Sequence, residues 1–389
     1  MLGSPRKEGK SKPVSDPVYL DYNASTPVLP RVRDAMMRAL AEGFGNPSAD
    51  HVYGRRARAF VDRARTEVAA LVGCDPDEII FTGSGTESNN LALRGWAPEA
   101  LPKRIVTSAV EHPATVEPAA LLGRDGATVI TVDVDRHGVI DLEGVKRALW
   151  RAASDGPTIV SVILAQNETG VIEPLAEVAR IAKEHGAIVH ADAAQAVGKI
   201  AVDVRALGVD LLSIAGHKLY APKGVGALYV RRGVELSPLL LGAGHERGIR
   251  PGTENVAGIA ALGEACAMAR EDLPAESARQ RGLRDRLEQR LAKAGFVLHG
   301  AGARRLPNTV NGRFPGVRGD DLLARAPGVA FTTGSACHAG EMKPSRVLTA
   351  MGIAAGDALG AIRLTLGRLT TEGEIESAAT LLLDAAARG

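Results

Sequence analysis

From residue 78 onward, short apolar runs alternate with longer stretches in which apolar positions recur every three or four residues. Glu78-Ile79-Ile80-Phe81-Thr82, Arg104-Ile105-Val106-Thr107-Ser108, Ala127-Thr128-Val129-Ile130-Thr131-Val132, Thr158 to Leu164, Ala187 to Asp192 and Leu211 to Ala215 read as buried strands. The segments around 113–123, 141–153 and 174–185 carry a helical period. Strands and helices in alternation predict an α/β fold with a mainly parallel sheet covered on both faces. Beyond Gly263 a charged helical stretch reaches about Lys293. Phe296 to His299, Asn308 to Asn311 and Val329 to Phe331 then precede two helical segments, the pattern of a smaller α+β domain. The expected organisation is a disordered leader over 1–17, a large domain over 18–263 and a small domain over 264–389, with 18–30 packing against the small one. No internal repeat is visible.

Composition narrows the function. With 389 residues, 45% of them hydrophobic, the chain can bury more than one core. A net charge of +2 and an aromatic content of 3% leave little to attract or stack on a nucleic acid. Three cysteines without C-x-x-C spacing argue against a disulfide framework, a structural zinc or an iron–sulfur cluster, and point to reducing cytosol. No apolar run is long enough to span a bilayer. The leader places Arg6, Lys7, Lys10 and Lys12 among Gly, Ser and Pro, without the apolar region of a secretory signal.

The candidate chemistry centres on Lys218, which follows a strand-like run through the turn Gly216-His217. A lysine held in a partly apolar pocket loses basicity, and a neutral amine condenses with an aldehyde such as pyridoxal phosphate. That cofactor needs a carboxylate beside its ring nitrogen. Asp192 ends a predicted parallel strand, and ligands of open α/β sheets sit at such ends. Gln195, three residues on, can donate to the ring's phenolic oxygen. For the phosphate, Gly83-Ser84-Gly85-Thr86 runs from a strand into the helix that carries Leu91 and Leu93. Helix-start N–H groups and the helix dipole bind phosphate, Gly85 permits close approach, and Thr86 adds a hydroxyl. Taken singly these residues have ordinary readings, a solvated loop lysine and an N-capping aspartate. Ser88 also stands where a dinucleotide fingerprint would place its third glycine, and no P-loop occurs.

Taken together, the motifs resemble those of NifS-like cysteine desulfurases and selenocysteine lyases, in the class V aminotransferase branch of fold-type I pyridoxal phosphate enzymes. In order they are Tyr19-Leu20-Asp21-Tyr22-Asn23-Ala24, Gly45-Asn46-Pro47-Ser48, the Gly83 to Asn90 turn, Glu111-His112, Gln166-Asn167-Glu168-Thr169-Gly170, His190-Ala191-Asp192-Ala193-Ala194-Gln195, Gly216-His217-Lys218, Arg250-Pro251-Gly252-Thr253-Glu254-Asn255, Gly334-Ser335-Ala336-Cys337 and Ile362-Arg363-Leu364-Thr365. The resemblance spans about residues 18 to 385. It implies that His112 stacks on the cofactor ring and that Asn167 and Arg363 hold the substrate α-carboxylate. His217 is expected to reach the phosphate, as is Thr253 from a neighbouring subunit, so the active unit is a homodimer.

The same resemblance makes Cys337 the nucleophile. Its thiolate takes sulfur from L-cysteine as a persulfide, leaves alanine, and delivers the sulfur to an acceptor protein. Cys337 lies in a glycine-rich segment with the look of a mobile loop, beside His338 and Lys343, which favour a thiolate. Cys74 and Cys266 read as inert. Two features depart from the commonest desulfurase pattern. Ala215 stands where a phosphate-binding hydroxyl is frequent, and His338 follows Cys337 in place of a small hydroxyl residue. With Arg305-Leu306-Pro307-Asn308-Thr309, these features keep a selenocysteine lyase as an alternative. A plain pyridoxal phosphate β-lyase or aminotransferase would need Lys218 and Asp192 but not Cys337.

Overall fold

The computed structural model describes residues 16–97, 103–150, 156–333, 335–338 and 341–388, with only the backbone described at 335–338 and 341–342. The chain opens with strand β1 (Val18–Tyr19), then helices α1 (Pro30–Glu42) and α2 (Val52–Val72). Helix α2 starts at His51, whose ring accepts from the Gly54 N–H, and stops at Gly73 in the left-handed region, where a side chain would be strained.

The central sheet follows. Its strands are β2 (Ile79–Thr82), β3 (Arg104–Ser108), β4 (Thr128–Val132), β5 (Thr158–Ile163), β6 (Ile188–Asp192), β7 (Leu211–Ala215) and β8 (Gly226–Val230). Spatially they run β2-β8-β7-β6-β5-β3-β4, parallel except for β8, which is antiparallel to both of its neighbours. Strands β3 and β5 are buried at every position, whereas the edge strand β4 has its first four positions at least partly exposed. That contrast is why the inner strands read as unbroken apolar runs. The connections carry α3 (Gly85–Gly95), α4 (Pro113–Arg124), α5 (Leu142–Trp150), α6 (Leu175–Glu184) and α7 (Val204–Leu207).

Helix α8 (Val256–Ala292) joins two cores. Its first half packs Ile259, Leu262, Cys266 and Ala269 into the core around the sheet, while Leu283, Leu287 and Leu291 enter the second core. The expected boundary at 263/264 therefore falls inside a continuous helix. The cores part further along, around Pro274, which lacks the N–H that would close the helical turn. The charged stretch read as a domain start is the solvated face of this connecting helix.

The second core holds the antiparallel sheet β12-β15-β10-β9, made of β9 (Val297–Leu298), β10 (Thr309–Arg313), β12 (Thr332–Thr333) and β15 (Ile362–Thr365), with β11 (Val329–Ala330) pairing β1 in parallel. Helices α9 (Gly319–Arg325) and α12 (Glu372–Ala387) complete it, whereas α10 (Arg346–Ala350) and α11 (Ala355–Leu359) pack in a separate small cluster with Val110 and Ile163. Of the N-terminal segment, Leu20 belongs to this core, whereas Tyr22 and Leu29 pack with the large one. The segment 18–30 thus bridges both. Where a loop was expected around Cys337, the backbone forms a hairpin, β13 (Ser335–His338) with β14 (Glu341–Pro344), and Cys337 pairs with Met342. The leader lies outside the described residues up to residue 15.

Candidate active site

A cleft of about 420 Å³ opens at the carboxyl ends of β5, β6 and β7. Gly85, Thr86, His112, Asn167, Asp192, Gln195, His217, Lys218 and Arg363 all line it. Motifs spread over the chain from residue 85 to residue 363 thus converge on one site, on the side of the sheet where α/β folds bind ligands. Thr253 does not line it and is exposed. The side chain of Cys337 lies outside the described atoms.

At one end of the cleft, Ser84 caps α3 by accepting from the Glu87 N–H at 3.1 Å, and Glu87 Oε2 accepts from Gly83 N at 2.7 Å. The opening N–H groups of α3, at Gly85 and Thr86, have no carbonyl one turn back to receive them and are free for an anion. A Cβ at Gly85 would stand 3.0 Å from that of Ala215, so the helix start is packed against the end of β7.

Asp192 is buried, with Oδ1 accepting from Ala194 N at 3.0 Å and Oδ2 from Asn89 Nδ2 at 2.7 Å. Asn89, which lines the cleft, is itself buried with Oδ1 unpartnered. Lys218 Nζ donates to the backbone carbonyls of Asn23 and Ala24. Burial, and after it the Arg363 charge, pulls this amine down from 10.5 to about 8 against the attraction of Asp21 and Asp192. Burial lowers both cleft histidines as well, His217 to about 4. His112 Nδ1 accepts from Ala114 N at 3.0 Å, which puts the proton of the neutral ring on Nε2.

Arg363 is brought to Asn167 as expected, with Nη1 donating to the Asn167 carbonyl at 3.2 Å. Its other amine forms a 2.7 Å ion pair with Asp21, and its Nε is buried without a partner. A weakly basic lysine, an acid with both oxygens held, a helix start and a guanidinium with one unpartnered donor match the aldehyde, ring nitrogen, phosphate and amino-acid carboxylate of a pyridoxal phosphate enzyme.

Sequence comparison decides the family. The class V aminotransferase profile matches residues 18–377. The chain belongs to the class V aminotransferases. Within that pyridoxal-phosphate-dependent family its relatives are the NifS-like cysteine desulfurases. It is 43% identical over 364 residues to cysteine desulfurase IscS of Dictyoglomus turgidum, covering 92% of this chain and 91% of that one. It is 44% identical over 372 residues to cysteine desulfurase IscS of Anaeromyxobacter sp. strain K, covering 94% and 91%. Among solved structures, a NifS-like protein superposes with a TM-score of 0.87 at 34% identity, covering 96% of this chain and 100% of that chain. A structure titled SspA in complex with cysteine gives 0.79 at 33% identity, covering 90% and 98%. The two IscS relatives bear the desulfurase name, which does not favour the selenocysteine lyase alternative.

Sequence reasoning missed four residues that this class V aminotransferase uses to build the cleft: Asp21, Asn23, Asn89 and Lys199. Asp21, Asn23 and Asn89 sit inside motifs already singled out, so spacing could have flagged them. Lys199 stands four residues after Gln195, one helical turn on, which is the available signal for a side-chain pair. The two other cysteines are poor nucleophiles. Burial raises Cys74 to about 12 and pushes the fully buried Cys266 up further. Among the described residues no helix is long and apolar enough to cross a membrane, and no group of His, Cys, Asp or Glu could hold a metal ion.

Proposed function

We propose that this protein is a pyridoxal-phosphate-dependent cysteine desulfurase that converts L-cysteine to L-alanine and passes the sulfur through Cys337 to an acceptor protein. The observation that carries the reading is the meeting of Lys218 and Asp192 in one cleft with the start of α3. When bound, pyridoxal phosphate supplies an electron sink conjugated to the substrate Cα.

The chain's own residues do the rest. Asp192, held by Asn89 and Ala194, keeps a proton on the ring nitrogen. Gly85 and Thr86 take the phosphate, joined by His217 through a neutral ring that can donate one N–H. Arg363 would hold the substrate carboxylate alongside Asn167, its rigid fork fixing the amino acid's orientation. Lys218, uncharged in a large share of molecules near pH 8, moves the proton at Cα. His112, which lines the cleft, would stack on the cofactor ring. The Cys337 thiolate attacks the substrate sulfur, and an S–S bond forms as the C–S bond breaks. The electron pair of that bond stays with the three-carbon fragment, which takes up a proton and leaves as alanine.

Thr253, exposed and away from its own chain's cleft, is assigned to the phosphate site of a second copy, so the working unit is a homodimer. The setting is reducing cytosol, where the Cys337 persulfide is handed on. A fully active monomer in sedimentation would remove the dimer from this reading. With reductant present, L-cysteine should yield alanine and sulfide in equal amounts. Lys218→Ala should lose both products together with the visible colour of the bound cofactor. Cys337→Ala should keep the colour and lose alanine formation. Wild-type sulfide release by Cys337→Ala would refute the persulfide route and favour a plain β-lyase.

A further inference from the structure

Lys199 is a buried lysine with no carboxylate within ion-pairing distance among the described residues. Isolated buried ammonium groups are costly, so something must repay its position. Its Nζ donates to two side-chain amide oxygens, Asn23 Oδ1 at 2.7 Å and Gln195 Oε1 at 2.5 Å. An amide can be turned over with little change in shape, and only its partners decide which end carries the oxygen. In its charged form a lysine has donors and no acceptor, and the two amide oxygens seated on Nζ favour that form against burial and the charges of Lys218 and Arg363, which pull its pKa well below 10.5. The lysine therefore draws the oxygen of both amides toward itself and their NH2 groups away, and Asn308 Nδ2, which also donates to Asn23 Oδ1 at 3.1 Å, supports the same orientation of Asn23.

The consequences reach the cleft through both amides. Gln195 must present its NH2, which donates to the Asn23 carbonyl at 2.8 Å and has its second N–H left for the cleft it lines. Asn23 must present its own NH2 to the Asn167 carbonyl at 3.1 Å and to Thr309 Oγ1 at 3.0 Å. The Asn23 carbonyl is also one of the two on which Lys218 rests. The turn that carries Lys199 cannot swing away, because a Cβ at Gly198, where φ is +77°, would lie 1.9 Å from Leu219 Cδ1.

We propose that Lys199 is a positioning residue that sets the polarity of the Gln195 and Asn23 amides, so that the cleft receives an N–H donor from Gln195 and a fixed carbonyl rest for Lys218. The inference builds on the cofactor reading above. Lys199→Met keeps the apolar stem and removes the donors. It should retain the cofactor, lower kcat by about tenfold with KM nearly unchanged, and move the pH at which the cofactor's visible band changes. Gln195→Met should do the same, and the double variant should fall clearly short of the product of the two single effects, because the lysine acts in part through that amide. Effects that multiply, or a loss of thermal stability with kcat and band unchanged, would overturn the proposal.

Should Lys199→Met fail to fold, Gln195→Glu supplies a second test in cofactor-stripped protein. It places a carboxylate against the buried ammonium and should raise the melting temperature, whereas a fall would overturn the Lys199–Gln195 contact. Failure of the wild-type protein to take up pyridoxal phosphate at Lys218 would instead refute the functional reading and leave the melting comparison interpretable.

Discussion

At Lys218 two influences oppose each other. Burial and Arg363 disfavour the charge, while Asp21, Asp192 and two carbonyl oxygens favour it, and the balance falls at about 8. Only the neutral amine attacks an aldehyde, so capture of pyridoxal phosphate by the stripped protein should speed up as pH rises toward 8 and level off above it. A capture rate, followed by the growth of the visible band, that keeps rising steeply to about pH 10 would return this lysine to its ordinary range. Arg363 poses a different competition. Asp21 already occupies one arm of its fork at 2.7 Å, so an incoming carboxylate shares the guanidinium with a resident one. Arg363→Lys loses the fork and the unpartnered Nε. It should raise KM for cysteine by about tenfold or more while leaving the cofactor spectrum in place, as steady-state kinetics would read. Lys218 was legible from its own turn, whereas Arg363 was singled out only by the family resemblance. The ion pair with Asp21 was not, because the two lie at opposite ends of the chain.

Among the elements, the turn from β6 to Ile200 does more than connect. It carries Asp192, Gln195 and Lys199 within one short stretch, and Gly198 wedges it against Leu219, the neighbour of Lys218. Gly198→Ala adds a methyl where φ is positive and where Leu219 already fills the space. It should cost about 2 kcal/mol or more in denaturant unfolding, with weaker cofactor retention as the turn lifts. Stability equal to the wild type would mean that the turn has room to yield. The helix starts were readable because capping is local: Ser84 heads α3, and Thr371 with Glu374 closes a reciprocal cap on α12. The hairpin at Cys337 was not readable, since its glycines and small residues favour a loop as readily as a pair of strands. Helix α8 was legible as a helix but not as a bridge. Its periodicity says that one face is buried, not which core buries it.

Across the whole molecule, the two cores are joined by α8, by the segment from β1 to Leu29, and by the Asn23 network that ties β10 and β15 to the cleft. The interior also holds two carboxyl groups, of Glu111 and Glu173, that make no ion pair among the described residues. Burial lifts Glu111 and Glu173 from 4.5 to about 8, and each has one oxygen unpartnered. Between 4.5 and 8 the folded chain keeps protons that the unfolded chain has shed, so stability should fall as pH rises across that window. Glu173→Gln, which cannot ionise, should remove part of that fall, as denaturant midpoints at pH 6 and about pH 8.5 would reveal; an unchanged difference would mean the carboxyl is already ionised when folded. The sequence by itself determined the alternation of strands and helices, the turn that receives phosphate, and Lys218 and Asp192 as candidates, because side-chain period and turn chemistry act over a few residues; Arg363 became a candidate only through the family resemblance. Only the tertiary structure decided that Asn89 holds Asp192, that Lys199 is buried without a counter-ion, and that Glu111 keeps its proton. Those properties depend on desolvation and on contacts between residues far apart in the chain, which exist only once both cores have closed around the cleft.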